Sequence, residues 1–233
     1  MIARKPKAIV ITGAGRMGQA IAASAEQSQD FRLVGIWQRG ADLDELVSAA
    51  DVVVDFSLPE ATSQVIDIVL RHQKPLVCGV SGLDDAQIAM LDAAAERIPL
   101  VFDRNMSLGI AVLMQSVRVA AASLGPEFDV GVFEVHHIHK KDSPSGTALK
   151  LGEAIAASRG ESGTGSVRFE SERRGEVPGD HEVVMQSATE KLTFAHSVTT
   201  RQVFVDGALR AAGWVVNKAP GRYSMQDVLF DQR

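Results

Sequence analysis

Residues 134–150 of the chain, "EVHHIHKKDSPSGTALK", hold three histidines, three lysines and two acidic residues. An imidazole can accept or donate a proton near neutral pH, and an ammonium group attracts anions and donates hydrogen bonds. The chain as a whole carries a formal net charge of -5. This local concentration of cationic groups therefore predicts a site for a small anion.

The second half of this segment has the features of a helix start. A helical pattern begins after Pro144, Ser145, Gly146 and Thr147. Ser145 and Thr147 are candidate caps of this helix. The N–H groups of Gly146 and Thr147 would then point outward at the positive end of the helix dipole. We expect them to bind a carboxylate.

The first half offers two geometries. If residues 134–140 are extended, Glu134, His136 and Lys140 face one side, and His137 and His139 face the other. A turn after His136 would break this division.

Two other interpretations of the segment are a metal site and a solvated basic turn. Histidine clusters bind zinc, but lysine ligands are rare and cationic neighbours disfavour a divalent ion. We expect no metal. A histidine close to a lysine and a helix start suits a small anionic substrate that is protonated as it receives a hydride.

A glycine-rich turn provides the second chemical signal. It follows a short apolar β-branched run, "AIVIT" at 8–12, precedes a helical pattern, and matches G-x-G-x-x-G. Such a turn brings backbone N–H groups and a helix N-terminus up to a pyrophosphate. The predicted binding residues are Gly13, Ala14, Gly15, Arg16, Met17 and Gly18.

The residues after the second strand bear on the choice of cofactor. An NAD-binding fold usually has an acidic residue about 20 positions beyond the glycines. Here that position is Gln38, followed by Arg39. A neutral side chain does not repel a 2'-phosphate and Arg39 could pair with it, so we expect NADPH or NADH, with NADPH favoured.

The elements that must position these residues alternate between strand and helix up to about residue 104. This alternation predicts an α/β fold with a Rossmann-type, doubly wound parallel sheet. The predicted strands are 8–12, 32–38, 51–56, 75–80 and 99–102, and helices are predicted after the glycine turn, at 59–72 and at 85–97.

The pattern changes after an apolar helix predicted at 107–125. We expect a second α+β domain with a mainly antiparallel sheet. A strand is predicted at 128–137, strands or strand-to-helix edges at 181–188, 190–198 and 200–207, a helix at 145–160 and a loop at 158–176. A helix is predicted at 207–217, and a tail at 220–230 would return to the first domain. The domain boundaries are thus 1–105 with 206–233 for dinucleotide binding, and 106–205 for substrate binding and oligomerisation.

Composition excludes several classes of function. The single cysteine, Cys78, rules out an intramolecular disulfide and a multi-cysteine zinc site. Acidic and basic residues are interspersed, which argues against nucleic-acid or membrane partners. The apolar stretch near the N-terminus is too short for a signal peptide, and no run approaches the ~20 apolar residues of a membrane span. We expect a cytoplasmic protein.

The histidine and lysine segment resembles the signature E-x-H-H-x-H-K-x-D-x-P-S-G-T-A of the 4-hydroxy-tetrahydrodipicolinate reductase family, which acts in the diaminopimelate and lysine pathway. The resemblance extends over nearly the whole chain: "GRMG" at 15–18, "VVVDFSLPEAT" at 52–62, "GVSGL" at 79–83, "RNMSLG" at 104–109, "GDHEV" at 179–183 and "GALRAAGWV" at 207–215. Gln38 stands where many members carry an acidic residue, and the glycine turn is one residue shorter than the common form.

The resemblance implies roles for individual residues. His136 would be the acid/base group and Lys140 the proton donor, while His137, Gly146 and Thr147 would bind a cyclic dicarboxylate. The nicotinamide side and the hinge loop of the cofactor site would be formed by Gly79, Val80, Ser81, Asp103, Arg104, Asn105 and Met106. It also implies a homotetramer built on the sheet of the second domain.

Two functions from other classes remain as alternatives. A dinucleotide-binding sensor without catalysis would explain the glycine turn but would give the histidine and lysine segment no role. Metal-dependent hydrolysis at the histidines would be decided by metal analysis of the purified protein.

Overall fold

The computed structural model describes residues 5–230, and they form two compact units. Residues 5–108 and 204–230 make up the first unit, and Gly109–Val203 make up the second. The ends of the predicted first domain, residues 1–4 and 231–233, lie outside the described residues. No helix within 5–230 is long and apolar enough to cross a bilayer.

The first unit is built on a sheet of six parallel strands in the order β10-β5-β4-β3-β1-β2. The middle strands are almost completely buried, as expected for a parallel sheet covered on both faces. The strands are β1 (Lys7–Thr12), β2 (Phe31–Trp37), β3 (Val52–Asp55), β4 (Leu76–Cys78), β5 (Pro99–Phe102) and β10 (Gly221–Tyr223).

Helices connect these strands, and several begin at recognisable capping residues. Asp42 caps the second helix, Pro59 opens the third, and Asp84 forms a reciprocal capping box with Gln87 at the fourth. The helices are α1 (Arg16–Gln27), α2 (Leu43–Ser48), α3 (Pro59–Arg71), α4 (Asp85–Ala95), most of α7 (Gln202–Val215) and α8 (Met225–Phe230).

The second unit has a four-stranded sheet in the order β7-β6-β8-β9. β6 pairs with β7 in parallel, and the other two pairings are antiparallel. The elements are most of α5 (Leu108–Ser123), β6 (Asp129–His136), α6 (Gly146–Ser158), β7 (Val167–Arg173), β8 (Asp180–Gln186) and β9 (Lys191–Ser197). The predicted combination of a Rossmann-type parallel sheet with a mainly antiparallel second sheet is confirmed.

One predicted segment is wrong, one segment that was left open is helical, and three short elements were not predicted. The expected loop at 158–176 contains the strand β7. Val167 and Phe169 of this strand pack into the core and thereby hold the otherwise polar segment in the sheet. The segment at 200–207, expected as a strand or a strand-to-helix edge, is helical from Gln202, because a short β-branched run alone does not distinguish a strand from a buried helix. The short helices α2 and α8 and the short strand β10 were not predicted.

Candidate functional site

A first candidate site lies in the first unit, where the order of the parallel strands reverses. The chain runs from β1 outward to β2, and then returns to place β3 on the other side of β1. Ligands of open α/β sheets bind at such a switch point, outside the carboxyl ends of the strands. Gly13 immediately follows β1, and Phe56 and Ser57 follow β3.

The glycine turn leaves no room for side chains at two of its positions. Gly13 has φ +97°, and a Cβ there would lie 2.6 Å from the Phe56 carbonyl oxygen. A Cβ at Gly18 would lie 1.8 Å from the Gly13 carbonyl oxygen, so α1 packs directly on the turn. Gly15 precedes α1 without any side-chain cap. The first N–H groups of α1 are thus left for an anion, and the turn fits a dinucleotide pyrophosphate.

A cavity of about 340 Å³ opens beside this turn. Three of its lining residues come from the turn, and Gln38 and Arg39 follow β2 on the opposite wall. The indole of Trp37 is buried and donates to the Ala41 carbonyl at 2.9 Å, which holds the bend that presents Gln38 and Arg39. The lining residues are Gly13, Ala14, Gly15, Trp37, Gln38, Arg39, Phe56, Ser57, Leu58, Glu60 and Ala61.

The other predicted cofactor residues follow β4 and β5 at the same edge of the sheet. The Gly79 N–H donates to the Asp55 carbonyl at 2.8 Å, and the Asp103 N–H donates to the Cys78 carbonyl at 3.3 Å. Two adjacent strand ends therefore carry Gly79, Val80, Ser81 and the stretch 103–106. None of these residues lines the cavity. Arg16, Met17 and Gly18 lie in the first turn of α1.

Asp55 is a buried carboxyl group at this edge that we did not single out from the sequence. It accepts hydrogen bonds from the Thr12 hydroxyl at 2.6 Å and from the Ser57 N–H at 2.9 Å. Burial raises its pKa, and these hydrogen bonds oppose the shift. Asp55 thus ties the ends of β1 and β3 together beneath the turn.

A second candidate site lies on the inner face of the second unit's sheet. Along β6, Val130 and Val132 face the apolar core, and the next two residues on the same face are Glu134 and His136. The inward-facing residues of the neighbouring strands also change from apolar to polar. A row of polar residues therefore lies across the sheet beside the apolar rows, and it consists of Ser171, Glu134, His181 and His196. Along each strand, the inward-facing residues are thus first apolar core residues and then polar residues of the site.

Glu134 is completely buried at the centre of this polar row. Arg173 donates to both of its carboxylate oxygens at 3.0 Å, the Ser145 N–H donates to it at 3.2 Å, and His136 Nδ1 contacts it closely. Burial alone would raise the pKa of Glu134, but the hydrogen bonds from Arg173 and His136 outweigh it and the pKa is lowered. Glu134 is therefore ionised at neutral pH.

His136 is the last residue of β6 and is 8% exposed. Since its Nδ1 faces the Glu134 carboxylate, Nδ1 carries the proton and Nε2 is the nitrogen with a lone pair. A Cβ added at Gly179 would lie 3.0 Å from Nε2, so a glycine there keeps space at this atom. Burial lowers the pKa of His136, although the hydrogen bond to Glu134 opposes the shift. The resting imidazole is neutral.

Lys140 lies in a turn rather than in an extension of β6. The chain turns at 138–139, and the Lys140 N–H donates to the His137 carbonyl at 3.1 Å. The division of sides expected for an extended segment therefore does not apply. The Lys140 ammonium lies 2.8 Å from the Asp142 carboxylate. Burial would raise the pKa of Asp142, but the bond to Lys140 lowers it on balance.

The predicted helix start is present at Ser145. Its hydroxyl accepts from the Ala148 N–H at 3.2 Å and lies 3.2 Å from His181 Nε2. Gly146 and Thr147 form the first turn of α6, whose later residues pack in the core. The structure thus brings His136, Lys140 and this helix start together in one unit, as the sequence predicted.

Two residues of this network were missed from the sequence, Arg173 and His181. Both are far from the signature along the chain and reach it only through pairing of β6 with β7 and β8. On β7, Val167 and Phe169 alternate inward and Arg173 continues the same face, but this alternation is too short to mark the segment as a strand. Within residues 5–230, no group of three or more His, Cys, Asp or Glu side chains is arranged to hold a metal ion.

A Rossmann-type unit with a glycine turn at its switch point, together with a histidine and lysine site on a second sheet, defines a nucleotide-dependent oxidoreductase. Comparison with known proteins makes the class specific. Family models described as "Dihydrodipicolinate reductase, N-terminus" and "Dihydrodipicolinate reductase, C-terminus" match residues 7–106 and 109–229. The chain belongs to the dihydrodipicolinate reductase family.

Individual relatives agree with this assignment. The chain is 41% identical to the 4-hydroxy-tetrahydrodipicolinate reductase of Zymomonas mobilis, over 94% of this chain and 95% of the relative. It is 39% identical to the enzyme of the same name from Alkalilimnicola ehrlichii, over 94% and 97%. The fold is similar to dipicolinate-bound dihydrodipicolinate reductase from Paenisporosarcina sp. TG-14, with a TM-score of 0.78, 21% identity, and coverage of 97% and 99%.

Proposed function

We propose that this protein reduces 4-hydroxy-tetrahydrodipicolinate to tetrahydrodipicolinate with NAD(P)H, in diaminopimelate and lysine biosynthesis. Relatives that are about 40% identical over nearly the full chain bear the name of this reductase. The observation that carries the proposal is the cluster around Glu134, which contacts His136 Nδ1 and accepts the Ser145 N–H at the start of α6, with the Lys140 ammonium near enough to lower the pKa of His136. These groups suit an anionic ring that must be protonated during reduction.

The dinucleotide would be held by the first unit. When bound, NAD(P)H supplies the hydride. The glycine turn and the first turn of α1 would hold the pyrophosphate, the cavity would hold the adenosine end, and the strand ends after β4 and β5 would hold the nicotinamide end. The residues in these roles are Gly13, Ala14, Gly15, Arg16, Met17, Gly18, Arg39, Gly79, Val80, Ser81, Asp103, Arg104, Asn105 and Met106.

The substrate would be held by the second unit. The N–H groups of Gly146 and Thr147, at the positive end of α6, would bind one of its carboxylates, and His137 would contact the substrate. Lys140 delivers a proton to the ring as hydride arrives. His136 accepts or donates a proton through Nε2. A positioned general acid contributes roughly 10² to 10⁴ in rate.

Gln38 and Arg39 favour NADPH over NADH. Both line the cavity beside the glycine turn. Replacing Arg39 by Ala removes a charge-assisted contact to the 2'-phosphate, so kcat/KM for NADPH should fall roughly 10- to 100-fold while kcat/KM for NADH changes little. Steady-state kinetics with both cofactors measures this, and an equal loss with both would contradict the assignment.

The working form is a homotetramer in the cytoplasm. Phe133 on β6 supports this arrangement, because it is 36% exposed and lies on the sheet face opposite the core of the second unit. A sheet face that presents an aromatic side chain suits association with a second copy.

The activity is tested by the loss of absorbance at 340 nm when NADPH is mixed with the protein and freshly generated substrate. Lys140→Ala should lower kcat at least about 100-fold, since it removes the general acid. Lys141→Ala is the matched control, because Lys141 is exposed and adjacent. A wild-type protein that binds NADPH without turnover would overturn the reductase and favour the sensor.

A further inference from the structure

The side chain of Arg173 joins three separate segments of the second unit. It donates to both oxygens of Glu134 at 3.0 Å, to the Lys140 carbonyl at 3.3 Å and to the Asp142 carbonyl. A further bond of 2.8 Å to the Glu172 carbonyl fixes the guanidinium on its own strand. Apart from this bond on its own strand, each contact is either to the buried carboxylate or to the backbone of the turn that carries Lys140.

Glu134 is the matching half of this arrangement. It has no exposed surface, and its carboxylate contacts Arg173, His136 and the backbone N–H of Ser145. A planar fork of donors serves both carboxylate oxygens through two parallel bonds, a fixed geometry that a lysine does not provide. The contact to His136 Nδ1 leaves Nε2 with the lone pair, and the contact to Ser145 fixes the start of α6.

We propose that Glu134 and Arg173 are a positioning pair for the reduction. Glu134 sets the tautomer and charge of His136, and Arg173 holds the turn that carries Lys140 at a fixed distance from His136. The inference rests on the proposed function for the roles of His136 and Lys140. It adds the two residues that make those roles possible and that contact no reacting atom themselves.

Charged groups surround His136 from every packed strand and from the turn. Glu134 on β6 favours the imidazolium, whereas Arg173 on β7 and Lys140 in the turn disfavour it. His181 on β8 lies with its ring centroid 5.2 Å away in an edge-on arrangement and remains neutral over the working range. Removing the charge of Glu134 or of Arg173 should therefore move the titration of His136 in opposite directions.

The test uses Glu134→Gln, Arg173→Gln and the double variant, each in the full-length protein. The kinetic pKa of His136, taken from kcat/KM against pH, should fall in Glu134→Gln and rise in Arg173→Gln. The double variant should lie between them, because it leaves neither charge buried alone. Each single variant should also lose roughly 10- to 100-fold in kcat, since a small misplacement of catalytic groups costs that much.

Matched controls are available one residue away. Arg174 and Glu172 pair with each other at 3.6 Å on the surface, with side chains 61% and 43% exposed. Arg174→Gln and Glu172→Gln change the same charges outside the network. Both should keep the wild-type kcat and pH profile.

A second measurement does not depend on turnover. In protein labelled with ¹⁵N-histidine, NMR reports the tautomer and the titration of His136 directly, with His136→Asn identifying its signals. The Nδ1–H tautomer should dominate in wild type and be lost or mixed in Glu134→Gln. If activity is absent but the opposite shifts appear, the reductase assignment fails and the positioning pair stands. If kcat falls with no shift in either single variant, or with shifts of the same sign, the positioning role is overturned.

Arg173→Lys covers the case in which Arg173→Gln does not fold. It keeps the positive charge but loses the fork, so the His136 titration should stay near the wild-type value while kcat still falls roughly 10-fold or more. A wild-type kcat in Arg173→Lys would overturn the claim that the fork holds the Lys140 turn.

Discussion

The surroundings of the histidines in the second unit determine whether each imidazole can exchange a proton. His136 and His181 belong to the same face of the sheet and touch edge to face, yet only His136 contacts a carboxylate. Burial lowers the pKa of His181 to about 3, and the neighbouring His136 adds to the shift. His181 thus serves as a neutral partner for the Ser145 cap, while His136 is the histidine that can exchange a proton.

The depressed pKa of His181 predicts a loss of stability in mild acid. Below pH 6.5 the unfolded chain protonates this histidine and the folded protein does not, so the free energy of unfolding falls as pH is lowered. Between pH 7 and pH 5 we expect His181 alone to account for about 2 kcal/mol. His136 contributes in the same direction.

Urea unfolding at a series of pH values measures this effect. In His181→Gln the stability at pH 7 should fall somewhat, but the decline between pH 7 and pH 5 should become shallower. His139→Gln is the control, since the side chain of His139 is 70% exposed. An unchanged slope in His181→Gln would show that the acid sensitivity lies elsewhere.

At the level of elements, the contact between α1 and the glycine turn is the most sensitive packing in the first unit. A methyl group on Gly18 would overlap the Gly13 carbonyl oxygen, which is backbone and cannot rotate away. Gly18→Ala should therefore displace the start of α1 and weaken NADPH binding at least about 10-fold. Fluorescence titration with NADPH measures the affinity.

The comparison variant is Gly15→Ala, in the same turn. A Cβ at Gly15 would meet nothing within 4 Å, and its φ of -75° suits any residue. Gly15→Ala should keep the fold and lose much less affinity than Gly18→Ala. Equal losses would mean that the methyl group obstructs the dinucleotide itself rather than the helix packing.

The elements also show which parts of the fold a single sequence can predict. Buried parallel strands were predictable because runs such as "DVVVDF" are apolar on both faces. The strand β7 was not, because only Val167 and Phe169 enter the core and the flanking residues resemble a loop. The start of α7 stayed open between a strand and a strand-to-helix edge because "QVFVDG" has the residues of a strand, and its helical period appears only with the residues that follow.

The candidate site residues also differ in whether the local sequence can predict them. His136, Lys140, Gly146 and Thr147 lie close together in the sequence, so one segment revealed them. Arg173 reaches them only through the pairing of β6 with β7, and local sequence does not specify which strands will pair. Tertiary contacts therefore supply the part of the site that orders the other residues.

At the scale of the whole molecule, the open face of the second sheet bears on assembly. Phe133 lies in a row with Glu170, Glu182 and Ala195 on this face. If it packs against a second copy, Phe133→Glu places a charge in the interface beside two acidic neighbours and should disperse the tetramer.

Light scattering coupled to size-exclusion chromatography measures the assembly. The wild type should elute as a tetramer and Phe133→Glu as a smaller species with an unchanged circular dichroism spectrum. Val119→Glu is the control, because Val119 is 58% exposed on α5, in the other layer of the unit. A monomeric wild-type protein would refute the tetramer.

The pairing of β10 with β5 also constrains how the protein is made. A ribosome synthesises all of Gly109–Val203 after β5 and before β10, so the second unit has its complete sheet while the first still lacks an edge strand. At typical rates of translation the edge of β5 stays unpaired for on the order of ten seconds. Unpaired strand edges recruit other chains. We therefore expect the nascent chain to be most prone to aggregation, and most in need of a chaperone, during this interval.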